Sequence, residues 1–339
     1  MQKSLDRKLA AIHADPHGSK EFILADAKDA DMAFGLAAPG KLSERDGQTR
    51  FKSLAEFRQN IRKVVGQQIV DIMLMSASTS ELLCLEERLF DDSPVTPAVR
   101  ANDATDIHLP RGGTIHTEPA RPFRTATLDH IQCGHLDCSP EERARGVDLG
   151  LYSVTFNNRC ELDLVTVENY KEFREEAERR RFRHFLEVFD PNAPQGLTPE
   201  QIPGFVNDLI ARTLAGVTKA GRPLFLKMAY HGPRALEELV SYDPHLIVGI
   251  LGGAAGTTLD AFQLIYEVRK YGGRAALFGR KINQAEDQLQ FIEFLKLVVD
   301  GAVGPADAVR AYHAALAQRG IKPHRALAED LELRTLSAS

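Results

Sequence analysis

HLIVGILGGAAGTTLDAFQLIYEVRKYGGRAALFGRKIN, residues 245–283, holds two short apolar runs separated by an amphipathic segment. HLIVGILGG (245–253) has the length of a strand and ends in two glycines. TLDAFQLIYEVRKYGG (258–273) repeats its apolar residues at helical spacing, and RAALFGRKIN (274–283) is a second strand-like run closed by Gly279 and Arg280. Strand, helix and strand in that order make a parallel pair with the helix crossing between them.

The same rhythm extends upstream. PLFLKMAYHG (223–232), FRHFLEVFD (182–190) and GLYSVTFNN (150–158) read as strands, with helices over 164–181, 202–221 and 233–243. EFILADAK (21–28) and IVDIMLMSA (69–77) are two more, each followed by a helix, 53–68 and 79–90. Ser53 is placed to cap the first of these helices, with Glu56 at capping-box distance. The stretch 91–122 is rich in Pro and Gly without a clear period and reads as an irregular excursion, which leaves PFRTATLDHI (122–131) as the third strand. Two further helices fall at 285–301 and 304–320. Eight strands, most of them followed by a helix, imply an α/β fold, a (β/α)8 TIM barrel with extra C-terminal helices. A single domain over 1–339 is expected, with the barrel at about 20–318 and a polar tail at 319–339.

Composition narrows the function. The chain has 339 residues, 43% hydrophobic and 26% charged, the profile of a globular protein. No apolar run approaches the roughly 18 residues that span a bilayer, and the first twenty residues are too polar for a secretory signal, so a cytoplasmic protein without membrane partners is expected. The net charge of −5 comes from mixed-sign segments, which gives no basic stripe for nucleic acid. The four cysteines are too few and scattered for a disulfide scaffold, in keeping with a reducing compartment. His130, Cys133, His135 and Cys138 lie close together but lack a paired CxxC knuckle, so they are read as incidental loop residues and not as a metal site.

The residue that asks for an explanation is Lys227, set among Leu, Phe, Met and Ala in the sixth strand. Active sites of such barrels lie at the C-terminal ends of the strands. With period two, Lys227 shares a face with Phe225 and Ala229, and surroundings of hydrocarbon would disfavour the ammonium form and expose a nucleophilic amine. The first strand offers Asp26 and Lys28, with Asp29 and Asp31 nearby; those carboxylates should keep Lys28 protonated, as a fixed cation or an ion pair aimed at the substrate. The glycines Gly252 and Gly253 after strand seven, with Gly279 and Arg280 after strand eight, sit where (β/α)8 enzymes commonly hold a phosphate. Asn283 with Glu286 has capping-box spacing at that point. Tyr152, Asn157, Tyr230 and His231 are open between acid–base, supporting and turn roles.

FLKMAY at strand six, ILGG at strand seven and ALFGRKINQ at strand eight resemble the class I, Schiff-base aldolases of the archaeal-type fructose-bisphosphate aldolase and deoxyribose-phosphate aldolase superfamily. The resemblance is clearest over 180–300. It implies a Schiff base on Lys227, a substrate phosphate held by Gly252, Gly253, Gly279 and Arg280, an aspartate at Asp26, no cofactor, a phosphorylated sugar or keto substrate, and a tendency to form homo-oligomers. The strand-five tyrosine of that family falls at Phe189, which has no acid–base chemistry; Glu187, two residues back on the same face, is the replacement, with Tyr230 a further proton carrier. Lys281 replaces the usual Asn after the arginine. Asp26, Lys28 and Asp31 also spell D-x-K-x-x-D, similar to the signature of the orotidine monophosphate decarboxylase superfamily, although that signature sits on a later strand there. A barrel kept only for binding is the non-enzymatic alternative.

Overall fold

The computed structural model describes residues 1–43, 49–252 and 256–335. Eight parallel strands close into a barrel: β1 (Ile23–Lys28), β2 (Ile72–Met75), β3 (Thr96–Arg100), β4 (Leu149–Thr155), β5 (Arg183–Phe189), β6 (Leu226–Met228), β7 (Gly249–Leu251) and β8 (Ala275–Phe278). Each pairs with its sequence neighbours, and β8 returns to β1 through Ile23 opposite Ala275. The longer helices are α1 (Ser4–Ala14), α2 (Leu54–Gln67), α3 (Cys160–Arg179), α4 (Ile202–Ala215), α5 (Pro233–Tyr242), α6 (Thr258–Lys270), α7 (Gln288–Asp300) and α8 (Pro305–Gln318). None is long and apolar enough to cross a membrane.

Alternation along each strand splits the core in two. Ile23, Ala25, Leu74, Ala98, Leu149, Leu151, Phe185, Phe225, Ala275 and Leu277 fill the barrel interior, where the Phe185 and Phe225 rings stack 4.6 Å apart. Leu24, Met73, Val99, Tyr152, Leu186, Leu226 and Phe278 point the other way and pack against the helices. Helix α1 was not foreseen. Its Leu5, Leu9 and Ile12 join the interior cluster and seal the N-terminal end, while Lys8 Nζ reaches Asp71 and the Phe22 carbonyl at 2.7 Å.

The third strand is a correction. It lies at 96–100, inside the supposed excursion, and PFRTATLDHI instead supplies a two-residue ribbon, Pro122–Phe123 against Asp103–Ala104, and a short helix, Leu128–Cys133. Pro97 disguised the strand. Thr96 N–H donates towards β2, at Asp71 O, and Ala101 N–H towards β4, at Leu151 O, so position 97 would donate on the β4 side. Pairing there begins only at Val99, so no ladder bond is lost at the proline. The irregular stretch therefore follows β3. Two caps were also read from sequence. The Ser53–Glu56 capping box on α2 is present, but α7 is capped by Asp287, which accepts from Leu289 N and Gln290 N, while Asn283 donates to Ala38 O.

Candidate active site

Going up the barrel from the hydrocarbon interior, the next inward positions are polar: Arg100 after Ala98, Ser153 after Leu151, Glu187 after Phe185 and Lys227 after Phe225. These side chains form one buried network. Lys227 Nζ lies 2.5 Å from Glu187 Oε1. Glu187 Oε2 accepts from Ser153 Oγ at 2.6 Å and from Arg100 Nη2 at 3.1 Å. Arg100 also donates to Ser153 Oγ at 2.8 Å and, through Nε, to Asp29, which stands just past the end of β1. Burial alone would raise the Asp29 carboxyl, but the charges of Arg100 and Lys227 outweigh it and hold it below the usual carboxylate range. Arg100 is desolvated as well, yet Asp29 and Glu187 keep its guanidinium firmly charged.

Above this floor opens a cavity of about 210 Å³. Asp29, Arg100, Glu187 and Lys227 line its base; Phe34, Leu109 and Phe189 form an apolar wall; Gly252, Gly279 and Arg280 stand at the rim. A larger hollow of about 610 Å³ lies at the opposite end, beside Ile12, Val248 and Arg274, well away from the Lys227 network. Both rim glycines are demanded by close packing. A Cβ at Gly252 would sit 2.4 Å from the Phe278 ring, and one at Gly279 would sit 2.8 Å from the Ala27 carbonyl. Gly252 N–H is already committed to Leu277 O at 2.8 Å.

The structure thus brings together Lys227, Glu187, Gly252, Gly279 and Arg280, and Gly253 lies outside the described residues. The setting of Lys227 differs from the one expected: its amine meets a carboxylate, not hydrocarbon. Asp26 and Lys28 belong elsewhere. They share the outward face with Leu24 and pair in register with Phe278, Met73 and Met75 of the helix-facing layer, while Ala27 and Asp29 face the cavity. Asp26 and Lys28 form a fully buried pair at 3.0 Å. Burial pushes the Lys28 amine down and the Asp26 carboxyl up, each opposed by the partner's charge, so Lys28 is not the firmly protonated cation expected. Asp29 and Asp31 do not surround it, because Asp29 bonds Arg100 and Asp31 accepts from Ser76 Oγ at 2.5 Å. The D-x-K-x-x-D residues therefore do not converge on the cavity.

Tyr230 is also turned away, donating to Glu267 on α6 at 2.8 Å. Tyr152 stacks on Phe173 behind the barrel wall, Asn157 braces a turn through Asn192, and His231 pairs with Asp190 at 2.9 Å. Arg100, Ser153 and Asp29 were missed as site residues. Alternation from Leu149 and Leu151 was the available signal for Ser153, and recognition of the Pro97 strand would have yielded Arg100.

The outward placement of Asp26 and Lys28 is testable. Asp26→Asn or Lys28→Met alone leaves the other group of the buried pair without its partner and should lower unfolding stability by about 3–5 kcal/mol, whereas Asp26→Leu with Lys28→Met should recover most of the loss. Urea unfolding of the three variants measures this.

No protein-family model matches the chain, and no curated protein matches it. Solved structures do. An archaeal fructose 1,6-bisphosphate aldolase superposes with a TM-score of 0.61 at 16% identity, covering 88% of this chain and 100% of that one. A Schiff-base-forming fructose-1,6-bisphosphate aldolase gives 0.59 at 15% identity, covering 87% and 100%. A fructose-bisphosphate aldolase from Slackia heliotrinireducens gives 0.63 at 11% identity, covering 92% and 91%. The likeness is one of fold.

Proposed function

We propose that this protein is a class I aldolase-type lyase, which makes or breaks a carbon–carbon bond of a phosphorylated or otherwise anionic ketone or aldehyde through an imine on Lys227. The observation that carries the reading is the Lys227 amine at the base of the cavity, 2.5 Å from a carboxylate able to take its proton. Likeness of fold to Schiff-base aldolases supports it.

In the proposed reaction Glu187 accepts a proton from Lys227, and the freed amine adds to the substrate carbonyl to give a carbinolamine. Glu187 returns the proton to the carbinolamine hydroxyl, water departs, and a cationic iminium remains. Glu187, again a carboxylate, takes the proton of the hydroxyl beside the bond to be broken; that O–H electron pair becomes the new C=O, the carbon–carbon pair flows into the iminium to give an enamine, and the carbonyl fragment leaves. Glu187 then returns the proton to the enamine carbon, and water hydrolyses the iminium to free Lys227 and the second product. Asp29, kept ionised by Arg100, provides a fixed negative charge beside the cation. Because Gly252 N–H is occupied, the anionic end of the substrate is assigned chiefly to Arg280 at the rim.

Incubation with dihydroxyacetone phosphate, glyceraldehyde phosphate or pyruvate under borohydride, followed by peptide mass spectrometry, should give a reduced adduct on Lys227. The added mass identifies which carbonyl was taken. Tight binding without an adduct would assign the protein to the non-catalytic alternative.

A further inference from the structure

The loop that leads from the irregular stretch into β4 gathers thiols, an imidazole and a carboxylate in ten residues. Cys133 and Cys138 are joined by a disulfide, with Cα atoms 6.0 Å apart, a bridge that the reading of the cysteines as incidental loop residues in a reducing compartment did not include; Cys84 and Cys160 are free. Ligand atoms of Cys133, His135 and Glu142 all lie within 4.8 Å of one another, the one such group of three found among the described residues. His130, counted with the cysteines in sequence, leaves the cluster to bond Thr127 Oγ1 at 2.7 Å, and Glu142 takes its place.

The orientation of these groups suits a cation. His135 Nδ1 is 2.7 Å from the carbonyl of Leu136, to which it donates, and Nε2 is turned towards the cluster, where it donates to Glu142; a metal would take the place of that Nε2 proton. Nε2 lies 3.0 Å from Glu142 Oε1. The other Glu142 oxygen is fixed by Ser139 N–H at 2.8 Å, at the start of the short helix Pro140–Arg143. The loop is anchored by Asp129, which pairs with Arg180 at 2.9 Å and Arg143 at 3.3 Å. His135 and Glu142 are exposed, so an ion has an entry path.

We propose that, with the bridge reduced, Cys133, Cys138, His135 and Glu142 bind one zinc ion, and that the bridged and zinc-bound forms are alternative states of this loop. A dithiol reductant supplies two electrons and two protons to the Cys133–Cys138 bond and leaves as its own disulfide. The two thiols then lose their protons as zinc binds. Two thiolates with one imidazole and one carboxylate satisfy a tetrahedral zinc, whose sulfurs need separate only to about 3.8 Å when each Zn–S bond is about 2.3 Å. A two-electron oxidant such as a peroxide reverses the change: the sulfurs rejoin, zinc leaves, and the peroxide with two protons becomes two waters. The lack of a CxxC knuckle argued against a metal from spacing alone; the fold removes that objection by bringing up Glu142.

Cobalt(II) added to the full chain, reduced and freed of reductant, reports the site through its thiolate charge-transfer and tetrahedral d–d bands. One equivalent per chain is expected, displaced by zinc, and none in the oxidised chain. Cys133→Ser with Cys138→Ser should abolish the bands, His135→Ala and Glu142→Gln should each weaken zinc binding at least about 10-fold, and Cys84→Ser with Cys160→Ser should change nothing. Because His135 and Glu142 are at the surface, their variants stay folded and carry the test if the double cysteine variant does not. Bands that survive in the oxidised chain, uptake far below one equivalent after reduction, or zinc affinity unchanged in both His135→Ala and Glu142→Gln would overturn the proposal.

Discussion

Lys227→Met should abolish the borohydride adduct and reduce lyase turnover by roughly 10⁴-fold or more, the scale seen when a covalent nucleophile is removed. The reason is chemical: an imine needs a primary amine, and no other lysine among those lining the cavity is present to replace it. The fold should survive the change. With the ammonium gone, Glu187 keeps its bonds to Arg100 at 3.1 Å and Ser153 at 2.6 Å, so its charge is not stranded. Lys227→Arg should be as inactive, since a guanidinium does not give up its proton at any working pH. The measurements are adduct mass, turnover and melting temperature on the same samples. An adduct that persists in Lys227→Met, on Lys28 or Lys281 for example, would refute the assignment of the nucleophile.

Arg100→Met should give the largest loss of stability of any change in the cavity floor, about 3–5 kcal/mol, because it leaves Asp29 without its main cation in a buried site and weakens the hold on Glu187. A drop in melting temperature of roughly 4–7 °C follows from that figure for a chain of 339 residues. Arg100→Lys should recover little, as one ammonium cannot reach Asp29, Ser153 and Glu187 together. The pH dependence has a definite sign. In the native protein Asp29 is held low, so its contribution is present above the ordinary carboxylate range and lost as pH falls through the depressed value. Without Arg100 the remaining burial favours the protonated form, so the variant gains as pH falls. The stability gap between the two proteins should therefore begin to narrow above about pH 4, as Asp29 of the variant protonates, and go on narrowing below it, as the native protein loses its contribution; chemical unfolding across pH follows this. Adding Asp29→Asn to Arg100→Met should restore part of the loss at neutral pH, and the double-mutant cycle isolates the coupling. A cycle with no coupling energy would remove Arg100 from its place as the organiser of the floor.

Periodicity carried much of the fold. β4 to β8 were legible because each is an apolar run of strand length beside an amphipathic helix, and Lys227 and Glu187 could be placed inward from their alternation with Phe225 and Phe185. Two kinds of information were absent. Strand β3 is five residues with a proline inside, and the harmlessness of that proline depends on where a neighbouring strand starts to pair, which is a tertiary fact. At the end of β1, Ile23 to Lys28 are all buried, so the apolar and polar residues gave no sign of which face was inside. Asp26 and Lys28 share the face away from the cavity, and one more step of alternation from Ala25 and Ala27 reaches Asp29. Tyr230 failed for a different reason: its strand ends at Met228, and beyond a strand end alternation no longer sets direction.

The α1 plug bears on the order in which the molecule assembles. Leu5, Leu9 and Ile12 leave the ribosome ahead of every barrel strand, yet their seat is a ring that includes Ile247 and Ala275, made more than two hundred residues later. During synthesis this amphipathic segment has no completed socket, and its oily stripe stays uncovered until the last staves are in place. Docking of α1 is then a late event that reports completion of the whole ring, and a fluorophore pair spanning Ser4 and His245 would show it closing only after β8 has joined β1.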